Sequence, residues 1–436
     1  MSKPPDIGKK PRISVVTLGC SKNIVDSERL LGQLRLGNAS MVDNVEDADI
    51  AVINTCGFID QAKQESIDAI VEAVERKQSG RLKKVVVMGC LSERYRADLQ
   101  KELPDVDAYF GSDQQAEVLV ELGVDYRREL LGERLLTTPS HFAYLKISEG
   151  CDRPCSFCAI PLMRGGHKTR PFEEVVAETQ ALAAGGVKEL IVIGQDTTYY
   201  GLDLYNERRL AGLLDALAST PGLEWIRLMY AYPAGFPRDV IPVIDRNSSI
   251  CKYIDLPLQH ASDSVLKSMR RGVTERSTRE LLEAIKTGID QVAIRTTFIV
   301  GYPNETEADF QKLYDLVREM KFHRLGVFTY SHEEGTFAEI LGDPVPSQVK
   351  EERRSALMDL QKQISEDRNE GLVGSRVRIL VDRHDGGHAV GRTQWDAPEI
   401  DQEVYVKNGD SLKVGNFYDV TIVDAVEYDL YATAAA

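Results

Sequence analysis

The sequence predicts a multidomain α/β protein in three parts: an N-terminal parallel α/β domain of flavodoxin/Rossmann type, a central partial (β/α)6 barrel, and a small C-terminal all-β barrel. Three observations carry this expectation. Apolar runs alternate with amphipathic stretches twice over, from Ile13 to about Gly123 and again from about His141. A long charged helical pattern follows, and beyond it short β-type segments are separated by Gly and Asp turns. At 436 residues the chain also exceeds what one hydrophobic core usually supports.

In the first part, residues 11–123, the apolar runs are "ISVVTLGC", "ADIAVINTCGF", "KKVVVMGC" and "VDAYFG". Between them "DSERLLGQL", "QESIDAIVEAVERK" and "AEVLVEL" carry helical periodicity. Continuous Val/Ile runs alternating with amphipathic helices imply a parallel sheet covered on both faces.

The second part, residues 137–367, offers six strands: "FAYLKIS", "ELIVIG", "WIRLMYA", "YIDLPLQ", "AIRTTFIVG" and "RLGVFTYS". Six βα units without a seventh and eighth suggest an open barrel, with chemistry at the C-terminal strand ends. "SQVKEERRSALMDLQKQISEDRNEGLVG" reads as one long helix, started by Pro346 and Ser347 and ending near Gly371. The third part, residues 370–436, holds "SRVRILVDRH", "HAVGRTQ", "EVYVK" and "NFYDVTIVDAVEYDLYATA", a small barrel or sandwich.

Basic residues number 53 and acidic residues 68, a net charge of −15. Such a chain is repelled by nucleic-acid phosphates unless it carries a local basic patch, and it attracts basic partners. "MSKPPDIGKKPR" runs into no apolar core and no segment has the length of a membrane span, so a cytoplasmic location is expected. In that compartment the seven cysteines read as metal or cluster ligands rather than as a disulfide framework.

Cys151, Cys155 and Cys158 lie in "GCDRPCSFCAIP", directly after the first barrel strand. Three thiolates on so short a loop can hold three irons of a cubane cluster and leave the fourth open to a small molecule. Structural zinc is the competing reading, but it wants a fourth ligand and usually a second Cys-x-x-Cys knuckle, which the chain lacks. A metal-free buried trio fits less well still, because Asp152, Arg153, Pro154 and Ser156 make the loop polar.

Cys20, Cys56 and Cys90 form a second set. They stand 36 and 34 residues apart, each at the end of a strand, in "LGC", "NTC" and "MGC". Parallel strand ends share one sheet edge, the edge where ligands bind. A lone cysteine there is more often a small buried residue, but three in consecutive units point to a second three-thiolate cluster. Cys251 has no partner at sensible spacing and reads as core.

The loop around Cys151 carries the signature of the radical S-adenosylmethionine superfamily, with Phe157 at its aromatic position. The whole pattern, together with "LGCSKNIVDSE", "NTCGFID", "YLKISEGCDRPCSFCAIPLMRG" and "GQDTTYYG", resembles the methylthiotransferases over nearly the full chain. Within that family it resembles the branch called RimO, which modifies small-subunit ribosomal protein S-twelve. The resemblance implies two 4Fe-4S clusters with three Cys ligands each, S-adenosyl-L-methionine as cofactor, and an electron donor such as flavodoxin. It implies insertion of a methylthio group at the β-carbon of one aspartate, with sulfur presented at Cys20, Cys56 and Cys90 and the radical generated at Cys151, Cys155 and Cys158.

"TTFIVGYPNETEADF" matches the family's fifth-strand motif, with Gly301 expected to admit the adenosyl group and Asn304 standing where a glycine is usual. Phe157, Gln195, Gln259 and Gly301 are the candidate cofactor contacts, and His260 beside Gln259 faces the same mouth. Arg164, Lys168 and Arg170 could steady carboxylates, although a solvated loop is the commoner fate of such charges. The C-terminal part resembles the TRAM domain, which binds transfer RNA in related enzymes. From Gly371 to Ala436 it carries six basic and eleven acidic residues, which favours a basic protein over nucleic acid as partner. A transfer RNA methylthiotransferase and a non-catalytic iron-sulfur redox sensor are the alternatives to be tested.

Overall fold

The computed structural model describes residues 11–37, 39–124 and 134–434; most of the basic N-terminal stretch lies outside these. Two compact units result. One comprises residues up to Thr137 together with Ala159–Gly166; the other comprises Thr138–Cys158 and everything from His167 onward.

In the first unit, β1 (Arg12–Thr17), β2 (Ser40–Met41), β3 (Ile50–Thr55), β4 (Lys84–Gly89) and β5 (Ala108–Tyr109) form one parallel sheet in the order β2-β1-β3-β4-β5. Alternation along each strand fills both faces. Ala51, Ile53, Val85 and Val87 point to one core with Ile70 and Val74 of α2 (Asp60–Gln78) and Leu91 and Leu99 of α3 (Cys90–Glu102). Ile13, Val52, Val86 and Met88 point to the other, with Leu30 and Leu34 of α1 (Ser21–Leu36) and Val118 and Leu119 of α4 (Gln115–Glu121). A short helix, α5 (Ile160–Arg164), belongs to this unit too: Ala159 and Met163 are buried with Cys90. The strand order reverses between β1 and β3, the switch point at which ligands bind in such sheets.

The second unit holds β6 (Phe142–Lys146), β9 (Glu189–Ile193), β10 (Trp225–Leu228), β11 (Ile250–Asp255), β12 (Ala293–Val300) and β13 (Arg324–Thr329) as six parallel strands in sequence order. A two-residue ladder, β7 (Ser148–Glu149) with β8 (Lys168–Thr169), flanks the cysteine loop. The covering helices are α6 (Phe172–Ala184), α7 (Leu202–Tyr205), α8 (Leu210–Ala218), α9 (Val240–Arg246), α10 (Asp263–Ser268), α11 (Glu275–Gly288), α12 (Glu307–Met320) and α13 (Ser347–Glu370). Capping boxes start α11 at Thr274 and α12 at Thr306, where threonine and the N3 side chain satisfy each other's backbone donors. No helix among the described residues is long and apolar enough to cross a membrane.

The C-terminal strands β14 (Arg376–Asp385), β15 (His388–Thr393), β16 (Glu403–Lys407), β17 (Phe417–Ala425) and β18 (Asp429–Ala434) close into a barrel, as expected. It seats against the N-terminal ends of the parallel strands. Glu189, the first residue of β9, lies buried between Arg227 (3.0 Å) and Arg392 (2.8 Å). His141 meets Asp382 at 2.8 Å, Tyr253 donates to Asp401 at 2.8 Å, Arg324 pairs with Asp396, and Trp225 meets Phe417 edge to face at 4.8 Å. The small barrel therefore docks at the end of the parallel sheet opposite the cysteine loop, and does not cover its mouth.

Candidate active site

In the second unit the chain leaves β6 and β7 through Gly150, and the next eight residues present Cys151, Cys155 and Cys158. Arg153 ties this loop down: its Nε donates to Asp196 at 2.7 Å, and its guanidinium lies 4.1 Å from the Tyr232 ring centroid and 5.2 Å from that of Tyr199. Asp196 in turn accepts from the Thr198 N–H at 2.9 Å, which fixes the turn after β9. On the other side, the Ser156 N–H donates to Met269 O at 3.0 Å and its hydroxyl donates to Ser268 O at 2.8 Å. The loop thus sits rigidly at the C-terminal ends of the strands.

Donors converge on the sulfurs. Arg271 Nη1 donates to Cys155 Sγ at 3.3 Å and the Arg153 N–H donates to Cys151 Sγ at 3.4 Å, while the Tyr232 hydroxyl, 3.5 Å from Cys155 Sγ, donates to Arg271 O at 2.9 Å. Burial pushes the Cys151 thiol up to about 11. A metal that stabilises the thiolate reverses that preference.

The remaining candidates separate on geometry. Gln195 and Gln259 follow β9 and β11 at the same mouth, and each has a buried amide oxygen with no hydrogen-bond partner among the described residues. Arg153 Nη2 and Arg271 Nε are buried without acceptors as well. Orphaned groups of both signs cost free energy unless something polar, water or a ligand, sits among them, so the mouth offers donors and acceptors to a polar occupant. Phe157 behaves differently: it packs against Val265, Met269, Tyr302, Tyr330 and Ala338, anchoring the loop on its apolar side. At Gly301, φ is +72° and a Cβ would run into the Lys350 stem of α13, so helix packing by itself already requires a glycine here. Asn304 does not adopt a left-handed conformation. His260 accepts from the Ser262 N–H at Nδ1 (3.0 Å), which leaves Nε2 to carry the proton, 3.7 Å from Glu305. Cys251 is buried at the opposite end of the sheet, its thiol pushed up to about 12 by desolvation.

In the first unit the other three cysteines follow β1, β3 and β4, around the topological switch point. Cys20 caps α1, and Cys90 opens α3. Cys20 disfavours the Cys56 thiolate, and Cys20 and Cys56 both disfavour the Cys90 thiolate, so the three sulfurs share one neighbourhood. Desolvation is the larger effect on both buried thiols and pushes Cys90 up to about 11. Gly19 makes the approach possible: with φ at +88°, a Cβ there would fall 2.5 Å from Cys56 Cβ. No three His, Cys, Asp or Glu side chains among the described residues converge tightly enough to share one metal ion. Sulfurs that hold separate irons of a cubane stand farther apart than donors around a single ion.

Sequence reasoning missed several of these residues. Arg164, expected on a solvated loop, is buried: Nη1 meets Asp26 at 2.6 Å and Nε meets Cys90 Sγ at 3.1 Å. Arg170 bridges to Glu178 at 2.7 Å, whereas Lys168 is exposed as anticipated. Arg153, Tyr232 and Arg271 carried no recognisable spacing, although Arg153 inside the cysteine loop was the one signal available.

Residues 12–111 match the family described as uncharacterized protein family UPF0004, residues 145–317 the radical SAM superfamily, and residues 373–435 the TRAM domain. The ribosomal protein uS12 methylthiotransferase RimO of Christiangramia forsetii is 56% identical over 97% of this chain and 94% of its own. Its namesake in Flavobacterium johnsoniae is 55% identical over 98% and 99%. The chain belongs to the RimO methylthiotransferase family. Its fold extends further, to the radical S-adenosylmethionine methyltransferase TsrM from Kitasatospora setae, with a TM-score of 0.53 at 12% identity over 74% of this chain and 75% of that one. As a RimO-family chain it is a radical S-adenosylmethionine enzyme of the methylthiotransferase class.

Proposed function

We propose that this chain inserts a methylthio group at the β-carbon of one aspartate of ribosomal protein uS12, with one 4Fe-4S cluster held by Cys151, Cys155 and Cys158 and a second held by Cys20, Cys56 and Cys90. The observation that carries the reading is a repetition: two separate parallel sheets each bring three cysteines, and no fourth, to their C-terminal strand ends. The working parts would be residues 11–123 for the sulfur-bearing site, 137–367 for the radical site and 370–436 for partner docking.

When bound, the clusters and S-adenosylmethionine would supply a radical able to remove hydrogen from an unactivated carbon, and a sulfur to replace it. An sp3 C–H bond has no useful acidity, so acid-base side chains could not start this reaction. The protein's own task is placement. Arg153 and Asp196 hold the cysteine loop, and Arg271 directs a donor at the Cys155 sulfur. The Gln195 and Gln259 amide oxygens await donors of a ligand, such as a ribose hydroxyl or an ammonium group. An electron donor such as flavodoxin is needed, and the cytoplasm, where ribosomal proteins are made, is the expected location.

Part of the acidic surplus of the small barrel is spent inside the fold. Asp382, Asp396 and Asp401 are consumed by the docking of the small barrel on His141, Arg324 and Arg295. Leaving out those three and the buried Arg392, eight carboxylates face five cations, so the surface stays acidic and still suits a basic protein. Because this domain docks opposite the mouth, it would contribute affinity, not the alignment of the reacting carbon.

The test is anaerobic. The chain is reconstituted with iron and sulfide, given S-adenosylmethionine and a reductant, and offered uS12 and transfer RNA together. One methylthio group on an aspartate-containing uS12 peptide, found by mass spectrometry, is the expected product. Modification of the RNA alone would overturn the assignment of substrate, and binding without consumption of S-adenosylmethionine would favour a sensor.

A further inference from the structure

We propose that Arg164 is a positioning residue for the sulfur-bearing cluster: its guanidinium donates to the Cys90 sulfur and holds that cluster at a higher reduction potential, an inference that rests on the cluster assignment above.

Arg164 ends α5 and its side chain is 1% exposed. A buried cation is tolerated only when its donors are satisfied. Nη1 is taken by Asp26 of α1 (2.6 Å), Nη2 by the Asn23 side-chain oxygen, and Nε by Cys90 Sγ at 3.1 Å. A neutral thiol is a weak acceptor, so the third donor is poorly matched to Cys90 in its free form. A metal-bound thiolate is the stronger acceptor that this donor is matched to.

Asn23 extends this contact to the other two cysteine-bearing turns. Its Nδ2 donates to Leu18 O (2.7 Å), two residues before Cys20, and to Thr55 O (3.0 Å), immediately before Cys56. Asn54 returns a bond from its own Nδ2 to Asn23 O at 3.0 Å. One buried asparagine therefore joins the ends of β1 and β3, and Arg164 joins that asparagine to the first residue of α3. All three cysteine positions are set by a single polar network, which confers geometric specificity when fully satisfied.

An N–H donor to a cluster sulfur stabilises the more negative, reduced state and so raises the reduction potential. Arg164 also follows Cys158 by only six residues in sequence, so the segment that leaves one cysteine set carries the partner of the other.

The test uses the full chain with Cys151, Cys155 and Cys158 each replaced by Ala, so that only the N-terminal site can take up iron. Uptake of one cluster's worth of iron by this parent upholds the underlying assignment, and no uptake by a folded parent overturns it. In the parent background, Arg164→Met is expected to lower the midpoint in a redox titration followed by electron paramagnetic resonance. The reduced-to-oxidised ratio at the parent's midpoint should fall at least tenfold, about 59 mV for one electron. Arg164→Lys, which keeps the charge but not the fork, should fall between. An unchanged midpoint and an unchanged spectrum in an iron-loaded Arg164→Met chain would overturn the proposal. If circular dichroism shows that Arg164→Met is unfolded, Arg164→Gln and Arg164→Lys decide by the same criterion.

Discussion

Replacing Glu189 with Gln tests whether a buried charge holds the C-terminal barrel in place. Its Oε1 accepts from Arg227 Nε at 3.0 Å and its Oε2 from Arg392 Nη2 at 2.8 Å. Burial pushes this carboxyl up, but the Arg392 and Arg227 charges pull harder and leave it below its ordinary value. Gln preserves the shape and removes the charge. Arg392 would keep the Asp382 carboxylate at 2.7 Å, whereas Arg227 would be left with neutral acceptors, such as the Gln394 and Thr393 carbonyls at 2.7 and 3.4 Å. Removing one partner from a buried pair costs about 3–5 kcal/mol. At about 1.4 kcal/mol per tenfold, local opening should become roughly a hundredfold or more easier. Hydrogen exchange of amides in β9, β10 and β15 reads this directly. The half-exposed Arg383–Glu403 pair is the control, since Glu403→Gln should cost no more than about 1 kcal/mol. A lowered carboxyl contributes stability above its unfolded value near 4.5 that is lost as pH falls, so the gap between parent and variant should close in acid. A Glu189→Gln loss no larger than the control's would refute the reasoning.

Further outcomes are expected. Cys155→Ala should abolish deoxyadenosine formation while the N-terminal site still takes up iron, and surviving cleavage would remove the radical assignment. Cys56→Ala should leave that cleavage intact and stop sulfur insertion; a normally methylthiolated product would rule out the sulfur-carrier role. Burial and the nearby Arg368, Arg324 and Lys286 charges hold His323 down to about 3. Below its ordinary 6.5 the unfolded chain takes up a proton that the folded chain refuses, so stability should fall by up to about 1.4 kcal/mol per pH unit. Calorimetric scans between pH 6.5 and 4 should show a shallower decline in His323→Gln.

Much of this molecule was legible without coordinates because its signals are local. Val/Ile runs before helical stretches defined both parallel sheets, and Cys151, Cys155 and Cys158 fall within eight residues. Even the distant Cys20, Cys56 and Cys90 were readable together, because parallel βα topology sends every strand end to one edge. Gln195 and Gln259 were reached by the same rule.

Charge and packing were not legible, because they depend on partners far away in the chain. The acidic count of the C-terminal barrel was correct, yet Asp382, Asp396 and Asp401 turned out to face arginines and a histidine 72 to 241 residues away. The Lys350 stem beside Gly301, a reason of its own for a glycine there, comes from 49 residues further along the chain. Arg164 looked like a solvated loop cation, and only folding brought Asp26, Asn23 and Cys90 around it from 138, 141 and 74 residues away. The sequence by itself determined which residues can do the chemistry, since ligand type and spacing are covalent facts. Tertiary structure alone decided which charges are spent on holding the protein together and which remain for a ligand, since that depends on what each side chain is buried against.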